Sequence, residues 1–262
     1  MPLLSRAPQP APPVLQVGCA LLLAAAAGFV DAYGYLVLAR VFTSHMTGNT
    51  SSLGLYSALR DPRQVLWHGW PIVGFVAGLL AGACLTEWGR RRSWQSRLSL
   101  VLAVEIVLLA LLWKFSGAAP AGALRFALVA LPALAMGMQT VTVTRVRKLR
   151  FYTTYMTGNL AKFAEAVVSY AFWFGDRRRA ARHAGVAAPE AEDRAEALHH
   201  LLVTAALWIV FVAGAYGGAL GELGLRRAAL AWPVAALVLV LLADVARPLA
   251  PVAAGESPGL RL

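Results

Sequence analysis

One motif is written twice in this chain. His45-Met46-Thr47-Gly48-Asn49-Thr50 returns 110 residues later as Tyr155-Met156-Thr157-Gly158-Asn159-Leu160, and the preceding Phe42-Thr43-Ser44 returns as Tyr152-Thr153-Thr154. A second set of landmarks follows in the same order. Phe75-Val76-Ala77-Gly78 with Gly82, Glu87 and Arg90-Arg91 is echoed by Phe211-Val212-Ala213-Gly214 with Gly218, Glu222 and Arg226-Arg227. A duplicated unit inside an apolar chain is how many membrane transporters are built.

The composition places the chain in a bilayer. It is 59% hydrophobic and 14% charged, against about half apolar and a quarter charged for a soluble domain. The apolar residues come in long blocks, and a span needs about 20 of them. Six candidates result: Val14–Leu38, Pro71–Glu87, Leu98–Trp113, Leu124–Thr144, Leu201–Gly221 and Ala228–Val245. The predicted fold is all-α and polytopic, with two three-helix repeats over residues 14–116 and 117–247. Tails are predicted over 1–13 and 248–262, and a solvated cytoplasmic connector over 175–200, where Arg177-Arg178-Arg179 precede Glu190, Glu192, Asp193 and Glu196.

The net charge of +11 does not mark a nucleic-acid partner, because Arg and Lys lie between apolar blocks rather than along one amphipathic face. Their distribution sets orientation instead. With six spans, 17 Lys and Arg fall on the side of the N-terminus and 7 on the other, so the positive-inside rule predicts that both termini are cytoplasmic. If the two short helices behind the motifs also crossed, this bias would vanish. Three spans per half is odd, so the halves should be inverted relative to each other. Arg6 followed by Leu15–Ala27 has some character of a signal peptide, but the apolar run continues to Leu38, which favours an uncleaved span. Cys19 and Cys84 fall inside spans and read as small packing residues.

Thr, Gly and Asn all suit a helix N-cap or the turn before it. Each motif is expected to start a short helix, Ser51–Leu59 in one half and Leu160–Phe174 in the other, with its N-terminal dipole near or within the membrane. Irregular backbone at that depth survives only where protein or a water-filled cavity surrounds it. Asp31 in the first span and Glu105 in the third are costly at membrane depth and should face the bundle interior or water. The counterpart of Asp31 in the second half is placed near Gln139, in a span made polar by Thr140, Thr142 and Thr144. Asp244 reads as interfacial, and His45 as outside what the repeat preserves because Tyr155 replaces it. Gly78-x-x-x-Gly82 and Gly214-x-x-x-Gly218 read as helix-packing signals.

No phosphate loop, His-Glu-x-x-His zinc motif or Gly-x-Ser-x-Gly elbow occurs, so no enzyme, cofactor or metal site is expected. Gly28-Phe29-Val30-Asp31-Ala32, Phe42, Met46–Thr50, Gly137-Met138-Gln139, Thr153-Thr154 and Met156–Leu160 resemble the YoaK family of bacterial membrane proteins over roughly Val14 to Val245. The resemblance implies a multi-span inner-membrane protein and supplies no substrate. The pathway candidates are Asp31, Thr47, Gly48, Asn49, Glu105, Gln139, Thr157, Gly158 and Asn159. The expected function is transport of a small solute or ion through a site between the halves. The alternative is a membrane scaffold or sensor subunit; an intramembrane enzyme is not expected.

Overall fold

The computed structural model describes residues 11–38, 40–92, 94, 96, 98–116, 123–141, 144–146, 149–182 and 191–249. Most of both predicted tails, Thr142 and the 183–190 part of the predicted connector lie outside them. The chain runs α1 (Pro13–Val37), α2 (Met46–Ala58), α3 (Pro62–Arg91), α4 (Ser99–Phe115), α5 (Ala123–Val141), β1 (Thr144–Val146), β2 (Leu149–Phe151), α6 (Met156–Arg182), α7 (Ala191–Leu225), a 3-10 helix (Arg226–Leu230) and α8 (Ala231–Ala246). Each of the six apolar segments predicted to cross contains a helix, but in the fourth α5 ends at Val141 and the predicted last residue, Thr144, belongs to β1. Among the described residues four stretches are long and apolar enough to cross a membrane: Pro13–Val37, Pro62–Arg91, Leu124–Val141 and Arg194–Ala246, the last taking in both α7 and α8. At 17 residues, α4 falls just short of that length.

The all-α class holds: among the described residues the only strands are the antiparallel β1 and β2, three residues each. Two expectations change. The helix behind the second motif is not short: α6 has 27 residues and runs past Phe174 to Arg182. The predicted connector is largely helix, because α6 continues through 175–182 and α7 begins at Ala191. Arg and Ala are strong helix formers, so a basic run without proline extends a helix as readily as it makes a loop.

Local signals fix the turn that joins α2 to α3. At the end of α2, Arg60 N–H donates to Ser57 O (3.1 Å) and Asp61 N–H to Tyr56 O (3.0 Å). This is the Schellman pattern, with Arg60 in the left-handed region at φ 55°. Asp61 then caps α3 by accepting from the N–H groups of Arg63 and Gln64, each at 3.1 Å, with Pro62 at the first helical position. Stacking of Tyr56 on His68, centroids 5.3 Å apart, closes the hairpin.

The halves interlock reciprocally. The two most extensive helix pairings are α1 with α7 and α5 with α3, so the first helix of each half packs on the third helix of the other. Likewise α2 lies on α3 as α6 lies on α7, and α4 lies on α5 as α8 lies on α1. Exchanging the halves maps this pattern onto itself. Glycines set both crossings at backbone contact. A Cβ on Gly28 would strike the Phe211 carbonyl, and one on Gly214 or Gly218 would strike Ala25 or Phe29. The other crossing repeats this: Gly137 lies against the Phe75 carbonyl, and Gly78 against the Leu134 carbonyl. The Gly-x-x-x-Gly pairs are therefore packing devices, as their spacing predicts.

Candidate functional site

The repeated motif folds the same way in both halves, and each of its residues has a mechanical job. Asn49 Nδ2–H donates to Phe42 O at 2.7 Å, and Asn159 Nδ2–H to Tyr152 O at 2.8 Å. Both asparagines are buried, at 1% and 0% exposure, so these bonds are made away from water. The ring at the last position before each helix stands edge-on to the first aromatic: His45 on Phe42 at 5.4 Å and Tyr155 on Tyr152 at 6.2 Å. That ring also lies over the motif glycine, where a Cβ on Gly48 would meet His45 and one on Gly158 would meet Tyr155. An aromatic side chain occupies the space of the missing Cβ, so any larger residue there would have to displace that ring.

Two expectations are corrected here. Thr47, Gly48 and Asn49 are not caps: α2 begins at Met46, its N-cap is His45, and no side chain caps it. The asparagine instead reaches back to the loop carbonyl. His45 does belong to what the repeat preserves, because the shared property is a ring over glycine, which both His and Tyr supply.

The loop ahead of α2 is tied to α1 by Asp31. After α1 the chain reverses through Arg40 at φ 58°. This brings Thr43 N–H, Ser44 N–H and Thr43 Oγ1–H to Asp31 Oδ1 at 2.8, 2.8 and 3.1 Å. In the second half two neutral residues share the equivalent task. Gln139 Nε2–H donates to Thr153 Oγ1 at 2.8 Å and to Leu23 O at 3.0 Å, and Thr140 Oγ1 pairs with Thr154 Oγ1 at 2.5 Å. Aligning the crossing glycines, Gly28 with Gly137, makes Thr140 the counterpart of Asp31, one residue beyond Gln139.

These elements surround a cavity of about 650 Å³. Its walls come in equivalent pairs: Phe42 with Tyr152, Ser44 with Thr154, His45 with Tyr155, Met46 with Met156, Thr47 with Thr157, and Phe75 with Phe211. Asp31 faces it from α1 and Thr140 from α5, with Trp208 and Val212 completing the α7 side. A second cavity of about 480 Å³ lies beside it, lined among others by Arg40, Gly48, Asn49, Tyr56 and His68. Phe42 and His45 line both.

The sequence-predicted candidates therefore divide. Asp31, Thr47 and Thr157 line the large cavity; Gly48 and Asn49 line its neighbour; Gln139, Gly158 and Asn159 line neither and support the loops behind. Glu105 is also apart. It is fully buried on α4, and neither carboxylate oxygen has a hydrogen-bond partner among the described residues. Asp244 is buried near the end of α8, accepting from Ser96 Oγ–H (2.8 Å), Ser99 Oγ–H (2.5 Å) and Leu249 N–H (2.8 Å). It ties the end of α8 to the start of α4. Sequence reasoning passed over Phe75, Phe211 and Trp208 as site residues, and took Thr140 only as one of the hydroxyls that make its span polar. The echo of Phe75 in Phe211 was a signal for two of them.

Residues 19–243 match the model of a family described as "Protein of unknown function (DUF1275)". The chain belongs to that family. The match takes in both copies of the motif and every residue lining the large cavity. Among relatives of this DUF1275 chain is the UPF0700 transmembrane protein YoaK of Bacillus subtilis (strain 168). It is 30% identical over 155 residues, covering 58% of this chain and 67% of the relative. The family resemblance carried by the motifs thus holds, and the chain is a membrane protein. No solved structure matches it.

Proposed function

We propose that this chain is a small-solute transporter or permease of the bacterial inner membrane, with its site in the cavity between the repeats. The observation that carries this reading is the pairing of the cavity walls: equivalent residues of both halves meet around one space of about 650 Å³, within the range of small-molecule sites. A site at the interface of two repeats, beside helix starts and irregular backbone, is the arrangement expected of repeat-built transporters. In this reading α1, α3, α4, α5, α7 and α8 cross the membrane, both termini are cytoplasmic, and the halves are inverted about an axis in the membrane plane. The 17-to-7 partition of Lys and Arg supports that orientation.

Flux into proteoliposomes, measured across a panel of cationic, anionic and neutral solutes, tests it. Thr47→Trp fills the cavity from the first turn of α2. It should abolish flux while leaving the melting temperature within a few degrees of wild type. A folded wild-type protein that moves no solute in the panel would overturn the transporter reading.

A further inference from the structure

The large cavity is symmetric in shape and asymmetric in charge. Among the described residues, Asp31 is its one carboxylate, His45 is its one basic side chain, and no Lys or Arg lines it. The second half shows that a carboxylate is not needed to hold this architecture. There the hydroxyl of Thr140 meets Thr154, and the amide of Gln139 meets Thr153. An acid at membrane depth costs about 2.5–3.5 kcal/mol on insertion scales, so one that exceeds the structural need marks function. All three donors to Asp31 among the described residues meet Oδ1. They fix the rotamer of the side chain and leave Oδ2 for a ligand.

The rest of the lining is suited to an apolar body. Phe42, Phe75, Tyr152, Tyr155, Trp208 and Phe211 bring six aromatic side chains to the cavity, and an aromatic face attracts a desolvated cation. An anion would meet a carboxylate with no Lys or Arg to offset it. A neutral solute would leave the acid without a use.

We propose that the cavity binds an organic monocation with a bulky apolar body, its charge at Asp31 Oδ2 and its body among the aromatic rings. This deepens the transporter reading and rests on it for the identity of the site.

The full chain in lipid nanodiscs is titrated with tetraethylammonium, benzyltrimethylammonium and tetraphenylphosphonium, with empty nanodiscs as the blank. Benzyl alcohol and benzenesulfonate serve as neutral and anionic counterparts. Tryptophan fluorescence reports binding, because Trp208 lines the cavity. At least one of the three cations should bind saturably, and neither counterpart should compete with it. Asp31→Asn keeps an acceptor for the loop donors and removes the charge. It should weaken cation binding at least tenfold, and Asp31→Glu should retain most of it. Absence of saturable binding by all three cations overturns the proposal. So does equal binding of the alcohol or sulfonate, or equal affinity in a folded Asp31→Asn variant. If that variant does not fold, the selectivity of the wild type decides. Cation binding without flux would support this proposal and remove the transporter reading. Flux of neutral or anionic solutes without cation binding would do the reverse.

Discussion

At the residue scale the repeated asparagine is the keystone of each loop. Its side chain has one structural duty, donation to the carbonyl seven residues earlier. Asn49→Asp and Asn159→Asp keep the shape and lose that donor, and each places a carboxylate against a carbonyl oxygen in a buried position. Each should cost about 1–3 kcal/mol, read as a drop in thermal unfolding temperature of the detergent-solubilised protein, whereas Ser57→Ala on an exposed turn of α2 should be nearly silent. The importance of Asn was legible from its repetition. Its role was not, because composition alone cannot separate an asparagine that caps a helix from one that reaches back out of its first turn. The counterpart of Asp31 was misplaced by one residue for a related reason. Counting from the motif, an offset of 110 points to Val141, and Gln139 lies at 108, whereas the crossing glycines give 109, which is Thr140. The loop between α5 and the second motif includes the β1–β2 hairpin, so helix register is set by packing against α3 rather than by distance from the motif.

At the element scale the turn between α2 and α3 offers a test with opposite signs at adjacent residues. Arg60 occupies a left-handed conformation that costs a non-glycine residue about 1–2 kcal/mol. Arg60→Gly should therefore raise stability by up to about 1 kcal/mol, the gain being reduced by the entropy of glycine in the unfolded chain. Asp61→Ala removes the cap of α3 and should lower stability by about 1 kcal/mol. Chemical denaturation of the two variants beside wild type checks both. These caps could be read from Asp61-Pro62, but the Schellman turn could not, because arginine does not advertise a left-handed residue. The ends of α6 were equally opaque. A cluster of arginines is compatible with a solvated loop and with a solvated helix, and the structure selects the helix through its packing on α7.

At the scale of the whole molecule, the proposed inversion of the halves predicts that α2 and α6 end on opposite sides of the bilayer. With Cys19 and Cys84 replaced by alanine, cysteines introduced at Ser57 and Arg178 should react with a membrane-impermeant maleimide from opposite faces of oriented vesicles. Reaction of both from one face would rule out the inverted arrangement. The reciprocal pairing of helices has a mechanical consequence. Backbone-tight crossings bind α1 to α7 and α3 to α5, and each of these pairs takes one helix from each repeat. With their attached neighbours they divide the helices into two bodies, α1-α6-α7-α8 and α2-α3-α4-α5, joined through α8, which packs on α4 as extensively as on α1. The cavity has walls from both bodies. Moving one against the other would change the width of its opening with neither glycine crossing broken, bending at the α4–α8 seam where Asp244 is fastened to Ser96 and Ser99. The units related by the repeat and the units held by the glycine crossings are thus different partitions of the same chain.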